Sequence, residues 1–378
     1  MTAARTFDDE AARSFREEYR AWLATSLPTS WQDVDPLLCS EEEETKIKCE
    51  WDQLLAGDNY RALAWPVEYG GRGLGPIEEV ILAEEGAAAR VPQELELIGK
   101  HLTGPALLAH GTERQRELYL RDIALARTMW CEGLSEPNAG SDLAAAVTGC
   151  RPAPGGYVVN GRKIWTSYAH QADHCFLLAR SDPSRPRRKN MTVLLVDMSA
   201  PGVSVHPIQQ VNGRHEFNEV VFEDVFVPEE DRVGAENEGW GIVTISGNRK
   251  MATVGQAPRR YIHLRQEMDQ LTECARGRGY DQAVTDLDVG VELLRWHLRR
   301  LAELLVAGAE ATRPASIVDL YWAELWQSMT DLALRVGCSD HDEYWQRRYF
   351  DSRPSTLYGG SAELKRNVIA DHVLALPR

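Results

Sequence analysis

Cysteine pairs at metal-binding spacing are missing from this chain. Its seven cysteines, Cys39, Cys49, Cys131, Cys150, Cys175, Cys274 and Cys338, are scattered, odd in number and never arranged as Cys-X-X-Cys, which predicts reduced thiols and argues against a zinc site or any other metal centre. Positive charge is also scarce. With 42 Lys and Arg against 57 Asp and Glu, the formal net charge is −15, which disfavours nucleic acid as partner, since phosphate contacts need clustered Lys and Arg on a basic face. The same deficit disfavours an anionic membrane surface as partner. The N-terminal MetThrAlaAlaArgThrPheAspAspGlu lacks the apolar core of a signal peptide, so the expectation is a cytoplasmic protein. Internal repeats and low-complexity linkers are absent, and no spacing suggests a phosphate-cradling P-loop or a Ser/His/Asp triad. The acidic run Glu41 to Glu44 reads as a solvated helix start.

The 378 residues, 43% hydrophobic and 26% charged, are enough for two or three packed subdomains with a large buried core that needs neither disulfides nor metal. Residues 7 to 60 carry 3.6-type spacing, as in PheArgGluGluTyrArgAlaTrpLeu, and predict amphipathic helices. Paired glycines in TrpProValGluTyrGlyGlyArgGlyLeu, residues 65 to 74, predict a turn, after which helical spacing resumes from Ile77 to about Leu125. From 128 to 235 the texture changes to short β-rich runs such as MetThrValLeuLeuValAsp, and AsnGly at 160 and 161 predicts a hairpin turn. Long helices rich in Leu, Arg, Glu and Ala follow GluAsnGluGlyTrpGly, residues 236 to 241. The expected fold class is α+β: an N-terminal α-helical domain over 1–127, a middle β-domain over 128–235 and a C-terminal α-helical bundle over 236–378.

Two segments of the middle region carry the chemistry. LeuSerGluProAsnAlaGlySerAsp, residues 134 to 142, runs from a strand into a Gly and Asn turn that can offer backbone N–H groups and hydroxyls to an anion or to an electron-rich ring edge; a plain polar loop reads the same way. GlyArgLysIleTrpThrSer, residues 161 to 167, sets an indole beside two hydroxyls, which suits covering a flat conjugated ring while bonding its polar edge. A core tryptophan with no ligand is the alternative.

Taken with HisGluPheAsnGluValValPheGluAspValPheValPro, residues 215 to 228, the early TrpProXXTyrGlyGlyXGly and the terminal ArgAsnValIleAlaAspHisVal, these segments resemble the acyl-CoA dehydrogenase family over essentially the whole chain. The resemblance implies FAD as cofactor, an acyl thioester of CoA or of a carrier protein as substrate, an electron-accepting flavoprotein as partner, a place in fatty acid or lipid metabolism, and an oligomer in which a neighbouring subunit completes the cofactor site. It implies that Leu134 and Ser135 meet the flavin ring, that Trp165 covers it, that Ser167 lies near N5, and that Gly140 and Ser141 follow the flavin and pantetheine path. Ser361 and Glu363 match tail positions that contact the adenosine half, and Arg259, Arg260 and Arg265 are the candidates for the pyrophosphate.

The family's reaction removes the substrate's α-proton with a carboxylate while the β-hydrogen leaves as hydride. Many members read TyrGluGlyThr where this chain reads TyrGlyGlySer, so Gly359 occupies the usual slot of the base, though its backbone N–H still matches a donor to the thioester oxygen. The family's second slot, in the helix after GlyTrp, aligns with Lys250 and Met251, or with Asn248 and Arg249 when the arginine is matched; Asn248 then faces substrate with Ser141 and Gly359. Neither alignment supplies a carboxylate. The readings left open are a dehydrogenase with a non-standard base, an FAD-completing subunit of a hetero-oligomer whose related chain brings the glutamate, and a flavoprotein of the same build with other chemistry. Glu94, Glu96 and His101 fall where related proteins line the acyl pocket, or simply cap a helix. His170 and His174 read as structural, and Asp351 as a turn residue or a replacement carboxylate.

Overall fold

The computed structural model describes residues 5–31, 40–92, 94–95, 98–244, 248–309, 311–337 and 342–377, with backbone alone at 244, 248–259, 312 and 342. In chain order the helices are α1 Glu10–Ser26, α2 Glu41–Gly57, α3 Pro76–Ala88, α4 Gly104–His110, α5 Glu113–Gln115, α6 Arg121–Ala124, α7 Gly239–Thr244, α8 Asn248–Ala275, α9 Asp281–Val306, α10 Thr312–Val336, α11 Asp342–Ser352 and α12 Ala362–Val368. The strands β1 Trp130–Gly133, β2 Gly149–Ala153, β3 Gly156–Ser167, β4 His174–Arg180, β5 Met191–Asp197, β6 Val203–Ile208, β7 Phe217–Pro228 and β8 Arg232–Val233 lie between α6 and α7. The order is therefore helical, then β, then helical, as the sequence predicts. No helix among the described residues is long and apolar enough to cross a membrane.

By contact the chain forms two compact units, one of residues 1–51, 73–93 and 253–378, the other of residues 52–72 and 94–252. In the first, Asp9 caps α1 by accepting from the Ala12 N–H at 2.8 Å, and α1 buries Phe15, Tyr19 and Leu23 on one face. Two carboxylates of α3 gather cations from its neighbours. Glu84 pairs with Arg16 of α1 at 2.6 Å and with Arg299 of α9 at 2.7 Å, while Glu85 pairs with Arg16 at 2.5 Å and Arg20 at 2.8 Å. Further on, Arg348 of α11 is buried against Glu267 and His263 of α8 and bonds Asp351 at 3.0 Å. Asp351 is thus committed to an ion pair. Cys274, at the end of α8, is disulfide-bonded, which corrects the expectation of reduced thiols throughout; Cys49, Cys131, Cys150 and Cys175 are not in disulfides.

The second unit is built on an eight-stranded sheet of order β6-β7-β3-β2-β4-β5-β8, with β1 added parallel to β4. One face packs Trp130, Phe176 and Leu178 against Leu102, Leu107, Leu120 and Ile123 of the helical segment ahead of β1; the other holds Cys131, Cys175, Leu177 and Phe222. AsnGly does not make the hairpin. β2 and β3 turn at Pro154–Gly155, where Gly155 has φ +81°, and β3 runs straight through Asn160 and Gly161 with a bulge against β7. The reason is local: the Asn160 side chain is engaged by Asp224 of β7, at 3.0 Å both as donor and as acceptor, and a Cβ at Gly161 would meet Thr148 at 2.5 Å.

The glycine turn at residues 65 to 74 is forced by crowding. A Cβ on Gly71 would stand 2.0 Å from the Trp65 carbonyl oxygen, and one on Gly104 2.1 Å from the Trp65 ring. Backbone cannot yield as a side chain can, so Gly71→Ala is expected to destabilise this unit by about 1–3 kcal/mol. Gly140→Ala, where no atom lies within 4 Å of the added carbon, should leave the urea midpoint within about 0.5 kcal/mol of the parent's stability. Equal midpoints for the Gly71 and Gly140 variants would refute the crowding argument.

Candidate functional site

β1 delivers the chain into the loop Leu134 to Asp142, and that loop is held by one ion pair. Lys163, inward-facing on β3 with a fully buried side chain, bonds the Glu136 carboxylate at 2.9 Å and the Leu134 carbonyl at 3.0 Å. Glu136 also accepts from the Val147 N–H at 2.7 Å and the Thr148 N–H at 2.8 Å. Its backbone closes a tight bridge with Ala139 in both directions. Burial alone would raise the Glu136 pKa, but the Lys163 charge and these N–H donors hold it below the ordinary value, while burial lowers that of Lys163 against the pull of Glu136. Sequence reasoning assigns neither residue a role. The signal is there to be read, since a lysine at an inward position of a strand calls for a buried carboxylate.

The same tether brings the loop to β3. Ile164 donates its N–H to the Ser135 carbonyl at 2.9 Å, so Leu134 and Ser135 lie beside Trp165. There β3 bulges against β7 between Lys163 and Thr166, and Trp165 takes φ +61°. A β-bulge re-aims a side chain, and here it turns the indole outward, 55% exposed, edge-on to Phe217 at 6.2 Å between centroids. A left-handed tryptophan costs on the order of 1–3 kcal/mol and persists only where its surroundings impose it. Next to it, Thr166 is buried and its Oγ1 has no hydrogen-bond partner, while Ser167 is half-buried at the strand's end. An exposed, strained indole, an unsatisfied hydroxyl and two serines on adjoining segments form a shelf suited to a flat ring with a polar edge.

Of the other sequence candidates, Gly140 and Ser141 are exposed on the loop's outer turn. His170 Nδ1 accepts from the Asn218 side-chain amide at 3.1 Å, and His174 packs on Trp130 at 4.7 Å with its pKa lowered by burial; both are structural. Glu94 forms a largely buried pair with Lys100 at 2.8 Å, next to His101 in a π-helical turn over Gly99–Thr103; Glu96 lies outside the described residues. Ser361 caps α12 by accepting from the Leu364 N–H at 3.3 Å, Glu363 is exposed in its first turn, and Gly359 and Gly360 have φ +63° and +92°. These tail residues belong to the helical unit. Asn248, Arg249, Lys250 and Met251 start α8 with side chains outside the described residues, as is that of Arg259. Arg260 is committed to Asp319, and Arg265 to Asp269 at 2.7 Å and Asp288 at 2.6 Å. Among the described residues no cluster of His, Cys, Asp and Glu could hold a metal.

Comparison with known proteins gives three family matches: "Acyl-CoA dehydrogenase, N-terminal domain" over residues 9–126, "middle domain" over 131–225 and "C-terminal domain" over 251–374. The chain is 36% identical to the acyl-CoA dehydrogenase IpdE1 of Mycobacterium tuberculosis, over 96% of this chain and 97% of the relative. Among solved structures it is similar to the ChsE4-ChsE5 complex of Mycobacterium tuberculosis, with TM-score 0.81, 25% identity and 99% coverage of each chain. It is also similar to a variant of the Tcur3481-Tcur3483 steroid ACAD, with TM-score 0.83, 25% identity and coverage of 98% and 100%.

Removing one partner of the central ion pair strands a buried charge. Glu136→Ala is therefore expected to cost about 3–5 kcal/mol, and the double change Glu136→Leu, Lys163→Met much less. Because folding lowers the Glu136 pKa, its contribution is full above the ordinary glutamate value of 4.5 and is lost as pH falls through the folded value. Urea titrations of both variants from neutral to acid pH check this; equal losses for the single and double changes would refute it.

Proposed function

This chain belongs to the acyl-CoA dehydrogenase family, and we propose that it binds FAD and serves the α,β-dehydrogenation of an acyl thioester with a base outside the usual slot. The observation that carries the reading is Trp165, held outward by a strained bulge beside the Ser135 loop and an unsatisfied Thr166 hydroxyl. In this reading Leu134 and Ser135 support the ring, Trp165 covers one side, and Thr166 and Ser167 bond its edge. Gly140 and Ser141 line the way to the pantetheine, and Ser361 and Glu363 serve the adenosine half of a neighbouring subunit's cofactor. FAD, when bound, accepts the β-hydrogen as hydride, and the α-proton passes to a carboxylate. The backbone N–H of Gly359 remains a donor for the thioester oxygen. Residues 1–127, 128–235 and 236–378 act as N-terminal helical, middle β and C-terminal helical domains.

A second reading is favoured by one feature of the tail. Gly359 bears no carboxylate, and its φ of +63° suits glycine, so a glutamate there would carry the left-handed strain of an ordinary side chain. A companion chain of the same family would then supply the base and complete the cofactor site, in keeping with the two-component names of the ChsE4-ChsE5 and Tcur3481-Tcur3483 structures. The latter name also makes a steroid-derived acyl thioester the first substrate to try, with an electron-transferring flavoprotein as acceptor.

The visible spectrum of the purified chain, alone and coexpressed with a family member, tests both readings. A yellow chain bleached by an acyl-CoA on its own supports the first; colour or bleaching that needs the companion supports the second; a colourless protein in every combination overturns both. Trp165→Ala should weaken FAD binding by about 1–3 kcal/mol, roughly 5- to 150-fold. Unchanged FAD affinity by equilibrium dialysis would remove Trp165 from the site.

A further inference from the structure

Glu132 stands two residues ahead of Leu134 on β1 and takes no part in the interactions that hold the loop. β1 pairs in parallel with β4, matching Trp130 to His174, Cys131 to Cys175 and Glu132 to Phe176. Trp130 and Phe176 belong to the helix-covered face of the sheet, whereas Cys131 and Cys175 belong to the opposite face, where a Cβ on Gly133 would meet Cys175 and Leu177. Strand alternation therefore directs Glu132 to the first face, the one against which Leu134 also packs. Its carboxylate makes no hydrogen bond or ion pair there, so that burial alone acts on it and pushes its pKa up to about 7. The side chain is only half-buried, which leaves a route for proton exchange with water.

The charged groups of the surrounding elements are occupied or face elsewhere. Lys100, in the π-helical turn packed against β1, is paired with Glu94 at 2.8 Å. His101 is buried in the same turn. From β4, His174 is stacked on Trp130, and the neighbouring Asp173 accepts the Met129 N–H at 2.8 Å. From β3, Lys163 lies on the far face with Glu136. None of them forms an ion pair with Glu132. A lone carboxylate on an apolar face costs stability, and such costs concentrate at functional sites.

Resting on the reading that a flavin ring meets Leu134 and Ser135, we infer that Glu132 is a proton-linked contact of that ring: neutral, it donates a hydrogen bond to the ring's acceptor edge, and ionised, it places a negative charge there. Reduction of the ring by hydride from the β-carbon adds two electrons and one proton and leaves one extra negative charge. That charge raises the proton affinity of a nearby carboxylate. Where Glu132 is ionised before reduction it takes one proton from water as the ring is reduced; where it is already neutral it takes none.

Midpoint potentials of the flavin-loaded protein, measured against reference dyes from about pH 6 to about pH 8.5, test this directly. The parent's slope should steepen by one proton per electron pair above about pH 7, and Glu132→Gln should remove that break while flavin stays bound. A parent profile without a break overturns the inference whatever becomes of the variant, and so does a break that survives in Glu132→Gln. If neither protein takes up FAD in dialysis, the cofactor reading fails and this inference with it, an outcome distinct from bound flavin with an unchanged profile. The cofactor-free protein gives a second readout. Because folding raises the Glu132 pKa, the parent should lose stability relative to Glu132→Gln as pH rises from the ordinary 4.5 to about 7, and a constant difference across that range counts against it.

Discussion

The buried pair of Lys163 and Glu136 is the interaction on which the β-sheet unit's candidate site depends. A lysine ammonium with no exposed surface would be prohibitive alone; with a carboxylate at 2.9 Å and the Leu134 carbonyl at 3.0 Å it becomes a three-way clamp. The carboxylate in turn receives the Val147 and Thr148 N–H groups just ahead of β2, so one side chain ties the loop both to β3 and to the approach to β2. Such a pair adds little net stability compared with apolar packing, yet breaking it is costly. What it contributes is register. The loop cannot slide along β3 without stranding a charge, and that fixed edge permits the strained bulge at Trp165 to persist two residues further on.

The tail follows the opposite logic. Gly359 and Gly360 both take left-handed φ values, and a Cβ on either would meet nothing within 4 Å. The constraint there is conformation rather than space. A chain that once carries glycine at such a turn is free to keep a backbone donor for a thioester oxygen, since that needs no side chain, while a carboxylate at the same place would have to bear the left-handed backbone. Ser361 and α12 show the same economy, the serine hydroxyl accepting from the Leu364 N–H as an ordinary helix cap.

Much of this was legible in the sequence, for physical reasons that differ from region to region. Hydrophobic periodicity separates the helical stretches from the β region, because periods of 3.6 and 2 respond to burial on one face. The Asn160–Gly161 pair misled because turn preference is local, whereas the asparagine is claimed by Asp224 on β7, distant in sequence. The outward pose of Trp165 was out of reach, since a bulge depends on how β3 registers with β7. Composition offered no view of the bonded Cys274 either, as scattered cysteines say nothing of which two meet.

Two glutamates four residues apart illustrate how environment rather than residue type sets chemical role. Glu136 turns inward to a cation and two N–H donors and is held ionised; Glu132, on the opposite face of the sheet, has no hydrogen-bond or ion-pair partner and resists ionisation until about pH 7. Strand alternation makes the difference: with Gly133 and Lys163 on one face, the residue before Gly133 must look to the other. The pairing that secures the loop thereby leaves its neighbour without a counter-ion, and environments that drive two carboxylates apart in proton affinity are those in which acid and base roles become distinct. In the proposed reading the ring is covered by Trp165 of β3 and the proton is exchanged by Glu132 of β1, strands that pair with other neighbours, β3 with β2 and β7 and β1 with β4, and neither task draws on the tail.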